Sequence, residues 1–222
     1  TSTMQTDLLG TPMITSLAER NSVSKNNFRN VGTMIGYKHN FPKTGKEFTA
    51  DFTFNQSRSN SSNFITTDSL DFNTKNIVKS SSQRQDGLGA NKNYIFQADY
   101  VNPLTDKSKL EMGVRASIRE VDNKNDFFLI SNGSAIYNPL LSVNYQSTDK
   151  VYAAYTTFTS QVKNFGYQLG LRVESSDYQG ILPDKNQTFN IKFPVSFFPS
   201  VFLSEKMKND QELQLNYTRK IN

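Results

Sequence analysis

The stretch Lys46-Glu47-Phe48-Thr49-Ala50-Asp51-Phe52-Thr53-Phe54-Asn55 decides the fold. Phe48, Ala50, Phe52 and Phe54 take every second position, and Thr49, Asp51, Thr53 and Asn55 fill the places between. In an extended chain successive side chains point to opposite faces, so this segment has one aromatic face and one polar face. Its partner is the upstream stretch over about 31–41, joined through Thr44-Gly45 as a two-residue turn. Centred there, the hairpin sets Phe41 opposite Phe48, Tyr37 opposite Phe52 and Ile35 opposite Phe54. The other face then sets Lys38 opposite Asp51, an opposite-charge pair that favours the register.

The same rhythm returns three times downstream. Tyr94, Phe96, Ala98 and Tyr100 alternate with Ile95, Gln97 and Asp99. A turn within 102–106 leads to a return strand with Leu110, Met112, Val114, Ala116 and Ile118 on one face. Glu111, Gly113, Arg115, Ser117 and Arg119 take the other. A five-residue loop sets Asp99 opposite Lys109 and keeps it away from Glu111. The third hairpin joins 150–160 to 165–175 around Val162-Lys163-Asn164, with Tyr167, Leu169, Leu171 and Val173 against Gln168, Gly170, Arg172 and Glu174. The face of Val151-Tyr152-Ala153-Ala154-Tyr155 stays ambiguous. The fourth joins about 193–206 to 211–219 around Asn209-Asp210, with Leu213, Leu215 and Tyr217 on its apolar side. Pro194 and Pro199 mark a bulge or strand start, because proline cannot donate to a ladder.

Helical periodicity is weak throughout. The expected fold is all-β, an antiparallel up-and-down transmembrane β-barrel segment of about eight strands in four hairpins. Within hairpins the connections are short. Between them, residues 60–90 and 123–147 are rich in Ser, Asn, Asp, Lys and Gly and read as long loops. Short turns on one rim and long loops on the other are the habit of outer-membrane barrels, with the short side periplasmic. Residues 1–27 read as a surface loop or lead-in, and 28–222 as the barrel segment.

Alternation by itself marks a soluble β-sandwich more often than a membrane wall. Three details shift the balance. The strand from Leu110 to Ile118 alone has the roughly 9–11 residues that a tilted membrane strand needs. The apolar faces of the clean strands carry no charge, as lipid contact demands when an Arg or Lys at mid-bilayer costs about 2–4 kcal/mol. Tyr and Phe flank those faces, where interfaces favour them.

Composition agrees. Of 222 residues only 36% are hydrophobic, and mean hydropathy is −0.59. The longest apolar run is Val151 to Tyr155, so no apolar helix of the roughly 20 residues a span requires is present. A barrel strand shows lipid only every second residue and keeps mean hydropathy low. There is no cysteine, which excludes disulfide scaffolds, thiol catalysis and cysteine-ligated zinc. The net charge is +5, but Lys and Arg are dispersed among Asp and Glu, so nucleic-acid binding is not expected. The chain opens Thr1-Ser2-Thr3-Met4 without a signal-peptide pattern and ends Thr218-Arg219-Lys220-Ile221-Asn222 in mid-pattern. The first fits either an exported protein that has lost its signal or a chain that begins inside a longer one, and the second favours a segment of a longer protein.

Several segments then resemble a known family. Lys150-Val151-Tyr152-Ala153-Ala154-Tyr155 followed by Phe165-Gly166-Tyr167-Gln168-Leu169-Gly170-Leu171-Arg172-Val173-Glu174 is similar to the barrel region of TonB-dependent receptors from Bacteroidota. So are Phe198-Pro199-Ser200-Val201-Phe202-Leu203-Ser204 and Glu212-Leu213-Gln214-Leu215-Asn216-Tyr217-Thr218-Arg219-Lys220-Ile221-Asn222. The hairpin from Gly36 to Phe52 fits more loosely. The resemblance implies a barrel of 22 strands, a plug domain that occludes it, and nutrient import driven by the inner-membrane TonB complex. No plug or TonB-box segment is recognisable here, and eight strands are about a third of such a wall. Glu205 stands where the family commonly has an aromatic.

The candidate residues follow from the two faces. Asp51, Asp99, Glu111, Arg115, Arg119, Arg172 and Glu174 are expected to face the lumen. Tyr37, Phe48, Phe52, Phe54, Tyr94, Phe96, Tyr100, Leu110, Met112, Val114, Tyr167, Leu169, Leu171, Leu213, Leu215 and Tyr217 are expected to face lipid or its interface. No catalytic residue, metal or cofactor is expected. The single histidine, His39, lies between Lys38 and Asn40 near the short-turn rim and reads as interfacial. Asp122-Asn123-Lys124-Asn125-Asp126 lacks the glycine and terminal glutamate of a calcium loop and reads as solvated. Gly87-Leu88-Gly89 precedes no helix and is no phosphate loop. The expected partners are outer-membrane lipid, a plug domain, the TonB complex, and a small-molecule, peptide or glycan substrate. A self-contained eight-stranded barrel with a structural or adhesive role is the alternative, and it requires the first strand to pair with the last. A soluble carbohydrate-binding sandwich would instead bury Phe52 and Leu169.

Overall fold

The computed structural model describes residues 2–8, 14–209 and 211–219. They form one antiparallel sheet of ten strands. In order these are β1 (Ser2–Leu8), β2 (Ile14–Asn40), β3 (Glu47–Leu70), β4 (Ile77–Thr105), β5 (Ser108–Ser131), β6 (Ser134–Tyr137), β7 (Val143–Val162), β8 (Phe165–Leu182), β9 (Gln187–Lys206) and β10 (Glu212–Thr218). Each strand pairs with the next in an up-and-down meander, except that the four-residue β6 folds back on the tip of β5 and β7 takes the next place. The eight expected strands are all present, and β1 and β6 are added.

The expected long loops are corrected. Residues 60–70 and 77–90 continue β3 and β4, 123–131 continue β5, and 14–27 are the first half of β2. Their polarity misleads because ladder bonds are made by backbone groups, whatever the side chains. Hydroxyls and amides then knit the faces: Ser22 Oγ donates to Asn63 Oδ1 at 2.7 Å and Ser62 Oγ to Asp86 Oδ1 at 2.7 Å. β4 has 29 residues, about 95 Å along its length. The hydrocarbon core needs only about 25 Å of it, so the long-strand rim projects far beyond the bilayer.

Two registers also differ from expectation. In the first hairpin Tyr37 pairs with Ala50, Ile35 with Phe52 and Lys38 with Thr49. The connection is longer than Thr44-Gly45: Phe41 N donates to Lys46 O and Lys46 N to Lys43 O, with Gly45 at φ +74°. Lys38 reaches Glu47, not Asp51, at 2.7 Å. In the second hairpin Asp99 pairs with Gly113, not Lys109. The strand runs on through Pro103 with an irregularity between Pro103 and Thr105, and the turn is Asp106-Lys107. Both shifts move an even number of residues, so neither changes which side chains share a face. The third turn falls at Lys163-Asn164, within the expected stretch. A bulge in the β8–β9 ladder between Glu174 and Ser176 faces Pro194, the residue without an N–H to give.

The sheet is staggered. The pair Asn40–Glu47 closes the first short turn, yet six strands on from Asn40 the same row reaches Ser200, paired with Gly170, and β9 runs six residues past Ser200 to Lys206 before turning. That is about one residue per strand, which at the usual rise and spacing is a tilt of about 35°. Tilted strands of this kind are what closing a sheet into a barrel requires. Among the described residues β10 pairs with β9 alone and β2 from Asn21 to Asn40 with β3 alone, so the sheet is open.

The tip between β3 and β4 is held by one carboxylate. Asp71 Oδ1 accepts from Asn73 N at 3.0 Å, Thr74 N at 2.7 Å and Thr74 Oγ1 at 2.9 Å. These donors, led by Thr74 N–H, hold the Asp71 carboxyl below its ordinary value of 3.8. A depressed pKa means that the ionised turn is favoured above 3.8 and is lost as pH falls through the lower folded value. The Thr74 amide resonance should therefore titrate with a midpoint below 3.8, and the Asp71→Asn variant should show no such titration. A midpoint at or above 3.8 contradicts this account of the turn.

Candidate functional site

The sheet has two chemically distinct faces, and the register assigns every expected residue to one of them. Rows across the ladder read Tyr37–Ala50–Ala98–Val114–Ala154–Val173–Phe197 and Ile35–Phe52–Phe96–Ala116–Tyr152 on one face. All the residues expected to meet lipid lie on this face, including Leu110, Met112, Leu169, Leu171, Leu213, Leu215 and Tyr217. They are water-accessible in the isolated chain: Phe52 is 39% and Leu169 46% exposed. A soluble sandwich would bury both, so that reading is overturned. Among the described residues the few buried strand positions, Ile65, Phe127, Ala153 and Ser176, all belong to the opposite face. Crowding on that side identifies it as the inside of the curve.

Aromatics border the apolar band at both ends. On the short-turn side, Phe41 packs edge-on to Tyr100 at 6.0 Å, and His39 edge-on to Phe41 at 4.5 Å. Lys46 Nζ sits 4.8 Å from the Phe41 ring centre, and Phe158 approaches Tyr167 at 6.0 Å. Glu205, across from Phe165 and Leu213, stands on this same rim. On the far side Phe54 packs against Tyr94 at 5.0 Å. Beyond that pair the face turns polar at once, with Gln56, Arg58, Lys92 and Glu120. From Leu110 to Ile118 the tilted strand covers about 22 Å of depth, close to the hydrocarbon band of such barrels.

The inner face carries Asp51, Asp99, Glu111, Arg115, Arg119, Arg172 and Glu174, all the residues expected there. Four of them join one network. Tyr155 Oη donates to Asp99 Oδ1 at 2.5 Å, and Gln97 Nε2 donates to Asp99 Oδ2 at 2.8 Å. Arg115 Nη1 donates to Gln97 Oε1 at 3.3 Å. Next to Tyr155, Arg172 clamps Glu174 Oε2 through Nε at 3.0 Å and Nη2 at 2.6 Å, while Ser176 Oγ donates to Glu174 Oε1 at 3.0 Å. The Arg172 guanidinium lies 5.9 Å from the Tyr155 ring centre. Glu111 pairs with Lys109 at 3.0 Å. Asp51 lies across from Gly36 and Gln97, and Arg119 across from Asp149, outside the network. Among the described residues Arg115 and Arg119 have no ion-pair partner.

Sequence reasoning missed Tyr155 as a member of this network, and with it Gln97 and Ser176. The signal lies in Gly113: a side chain there would overlap the Tyr155 ring and the Asp99 carboxylate. A glycine between alternating large residues marks such a close approach. The ambiguous strand is also settled, with Tyr152 outward and Tyr155 inward. Asp122 to Asp126 lie in β5, not in a loop, and no cluster of metal-ligating side chains occurs among the described residues.

An apolar, aromatic-bordered outer face over about 22 Å and a charged inner face define the class: this is the wall of an outer-membrane β-barrel. The chain belongs to the outer membrane protein beta-barrel family, which it matches over residues 39–222, and its place is the outer membrane of a Gram-negative cell. Among solved structures, the ferric citrate transporter FecA in its unliganded form is similar over 91% of this chain, at 10% identity and a TM-score of 0.48. The chain covers 35% of that protein's length. No curated protein matches the chain.

Proposed function

We propose that this chain is part of the wall of a TonB-dependent transporter or receptor that imports a nutrient ligand across the outer membrane. One observation carries the reading: a wall charged inside and apolar outside stays open at both edges among the described residues. In lipid each unsatisfied backbone group costs several kcal/mol, so further strands complete the ring. The self-contained eight-stranded alternative needs β2 to pair with β10, and no such pairing occurs among the described residues. A wider ring leaves Arg115 and Arg119 facing a lumen rather than packed against carboxylates. In this reading the lumen holds a plug domain, energy comes from the inner-membrane TonB complex, and the cargo is a small molecule, peptide or glycan. The role is passage, not catalysis, and no cofactor takes part.

The test uses the full-length protein in its own cell. Its deletion should abolish uptake of one nutrient, and in the intact cell that uptake should collapse when a protonophore dissipates the inner-membrane gradient. Uptake indifferent to the protonophore would falsify energised import and leave a passive or adhesive barrel.

A further inference from the structure

Arg29 and Arg58 are direct cross-strand partners on the outward face of β2 and β3. Like charges directly opposite on one face destabilise a ladder. Nothing on these two strands relieves the clash. The outward positions from Asn21 to Val31 on β2 and from Phe54 to Thr66 on β3 include Lys25, Arg29 and Arg58 but no carboxylate. Both arginines are exposed. Gln56, one step below, has its amide 3.1 Å from Arg58 Nε and Nη2, and with its oxygen turned toward them it accepts from both, which steers the guanidinium without neutralising it. The other outward cations nearby differ: Lys92 has Glu120 at 3.6 Å and Lys124 has Asp126 at 2.9 Å.

The pair also has a cavity and a floor. Arg29, Arg58, Asn27 and Asn60 line one side of an outward groove of about 540 Å³, with Asp122 in the same cross-strand row beyond Ala90 and Lys124 beside it. Immediately below Gln56 comes the Phe54–Tyr94 aromatic border, and below that the apolar row Ile35–Phe52–Phe96. The groove therefore sits where headgroups meet the long-strand rim of the wall, directly above the surface that acyl chains cover.

We propose that Arg29 and Arg58 form a clamp for a phosphate group of an anionic outer-leaflet lipid, whose acyl chains lie along the Ile35–Phe52–Phe96 wall. Two arginines side by side on one groove offer planar donor pairs of the kind that phosphate accepts bidentately. The bound dianion turns the repulsive pair into an attractive triad. The lipid is then a structural partner of this part of the barrel, whatever passes through its lumen.

Full-length protein in dodecyl maltoside micelles is titrated with bisphosphorylated lipid A, with the same lipid after phosphate removal, and with inorganic phosphate. Bisphosphorylated lipid A should bind, and R29Q/R58Q should weaken it by about tenfold or more. R29K/R58K keeps the charge but loses the fork and should fall between them. K192Q, which removes an outward lysine already paired with Asp177 at 3.3 Å, should bind like the unaltered protein. Without lipid, R58Q should melt higher than the unaltered protein because the repulsion is gone, and added lipid A should reverse that order. Equal binding by R29Q/R58Q, or by the phosphate-free lipid, overturns the clamp. Full displacement by inorganic phosphate assigns the site to free phosphate and overturns the lipid as its occupant. An unchanged melting order overturns the repulsion on which the inference rests.

Discussion

Val114→Arg destabilises the wall in a bilayer by about 2–4 kcal/mol, the cost of an arginine at the midplane of a barrel's lipid face. Val114 is the position for this test because it lies halfway between Leu110 and Ile118, in the row Tyr37–Ala50–Ala98–Val114–Ala154–Val173–Phe197. Every neighbour in that row is apolar or aromatic, so the guanidinium finds no partner and no short route to water. Thr53→Arg is the matched control on the inner face of β3. There the new charge joins the polar inner face near Asp51, and the change stays within about 0.5 kcal/mol. Urea unfolding of the full-length protein in lipid vesicles reads both. In detergent, which deforms around a buried charge, the gap between them should shrink. Equal costs on the two faces would mean that the apolar face does not meet lipid.

The faces were legible in the sequence for a simple reason. Side-chain direction in a strand depends only on odd or even position, so a register error of two or four residues leaves it intact. Phe48, Phe52 and Phe54 stay together outside, and Asp99, Arg115 and Glu174 inside, although the first two hairpins close elsewhere than the charge pairs suggested. Those pairs misled because a long lysine does not need a direct partner. Lys38 reaches diagonally to Glu47, and Asp99 takes its proton donors from Tyr155 and Gln97.

Strand length was not legible. Residues 60–90 show no sustained alternation, since beyond the bilayer most positions on both faces of the sheet meet water and only isolated ones such as Ile65 are buried. The one local signal in the expected loops was Asn132-Gly133. Both residues take positive φ, +48° and +75°, and close the β5–β6 hairpin. That dipeptide is the usual mark of a two-residue turn. Seen within a run of Ser, Asn and Asp, it passed as one more loop residue pair.

The inner network gives the sharpest test of how sequence becomes site. Tyr155 on β7 reaches Asp99 on β4 across the whole width of β5, two strand spacings or about 10 Å between backbones. It does so by lying over Gly113, the β5 residue directly between them. Gly113→Ala should therefore destabilise the full-length protein by about 1–3 kcal/mol through overpacking and release the Tyr155 hydroxyl from Asp99. The same substitution in a Tyr155→Ala background should have the opposite sign. With the ring gone, alanine meets only the Asp99 carboxylate, the end of a side chain that can turn aside once its Tyr155 partner is lost, and removing a glycine from a strand interior is worth about 0.5–1 kcal/mol. Tyr155→Phe separates the parts: it keeps the ring over Gly113 and removes only the hydrogen bond, so Gly113→Ala should remain costly there. Unfolding free energies for the cycle decide the matter, because coupled neighbours depart from additivity by 0.5 kcal/mol or more. If Gly113→Ala costs the same with and without the Tyr155 ring, the glycine serves the backbone of β5 and not the bridge across it. The close approach would then be a consequence of the fold, and the link from Arg115 through Asp99 to Tyr155 would lose the residue that lets it span three strands.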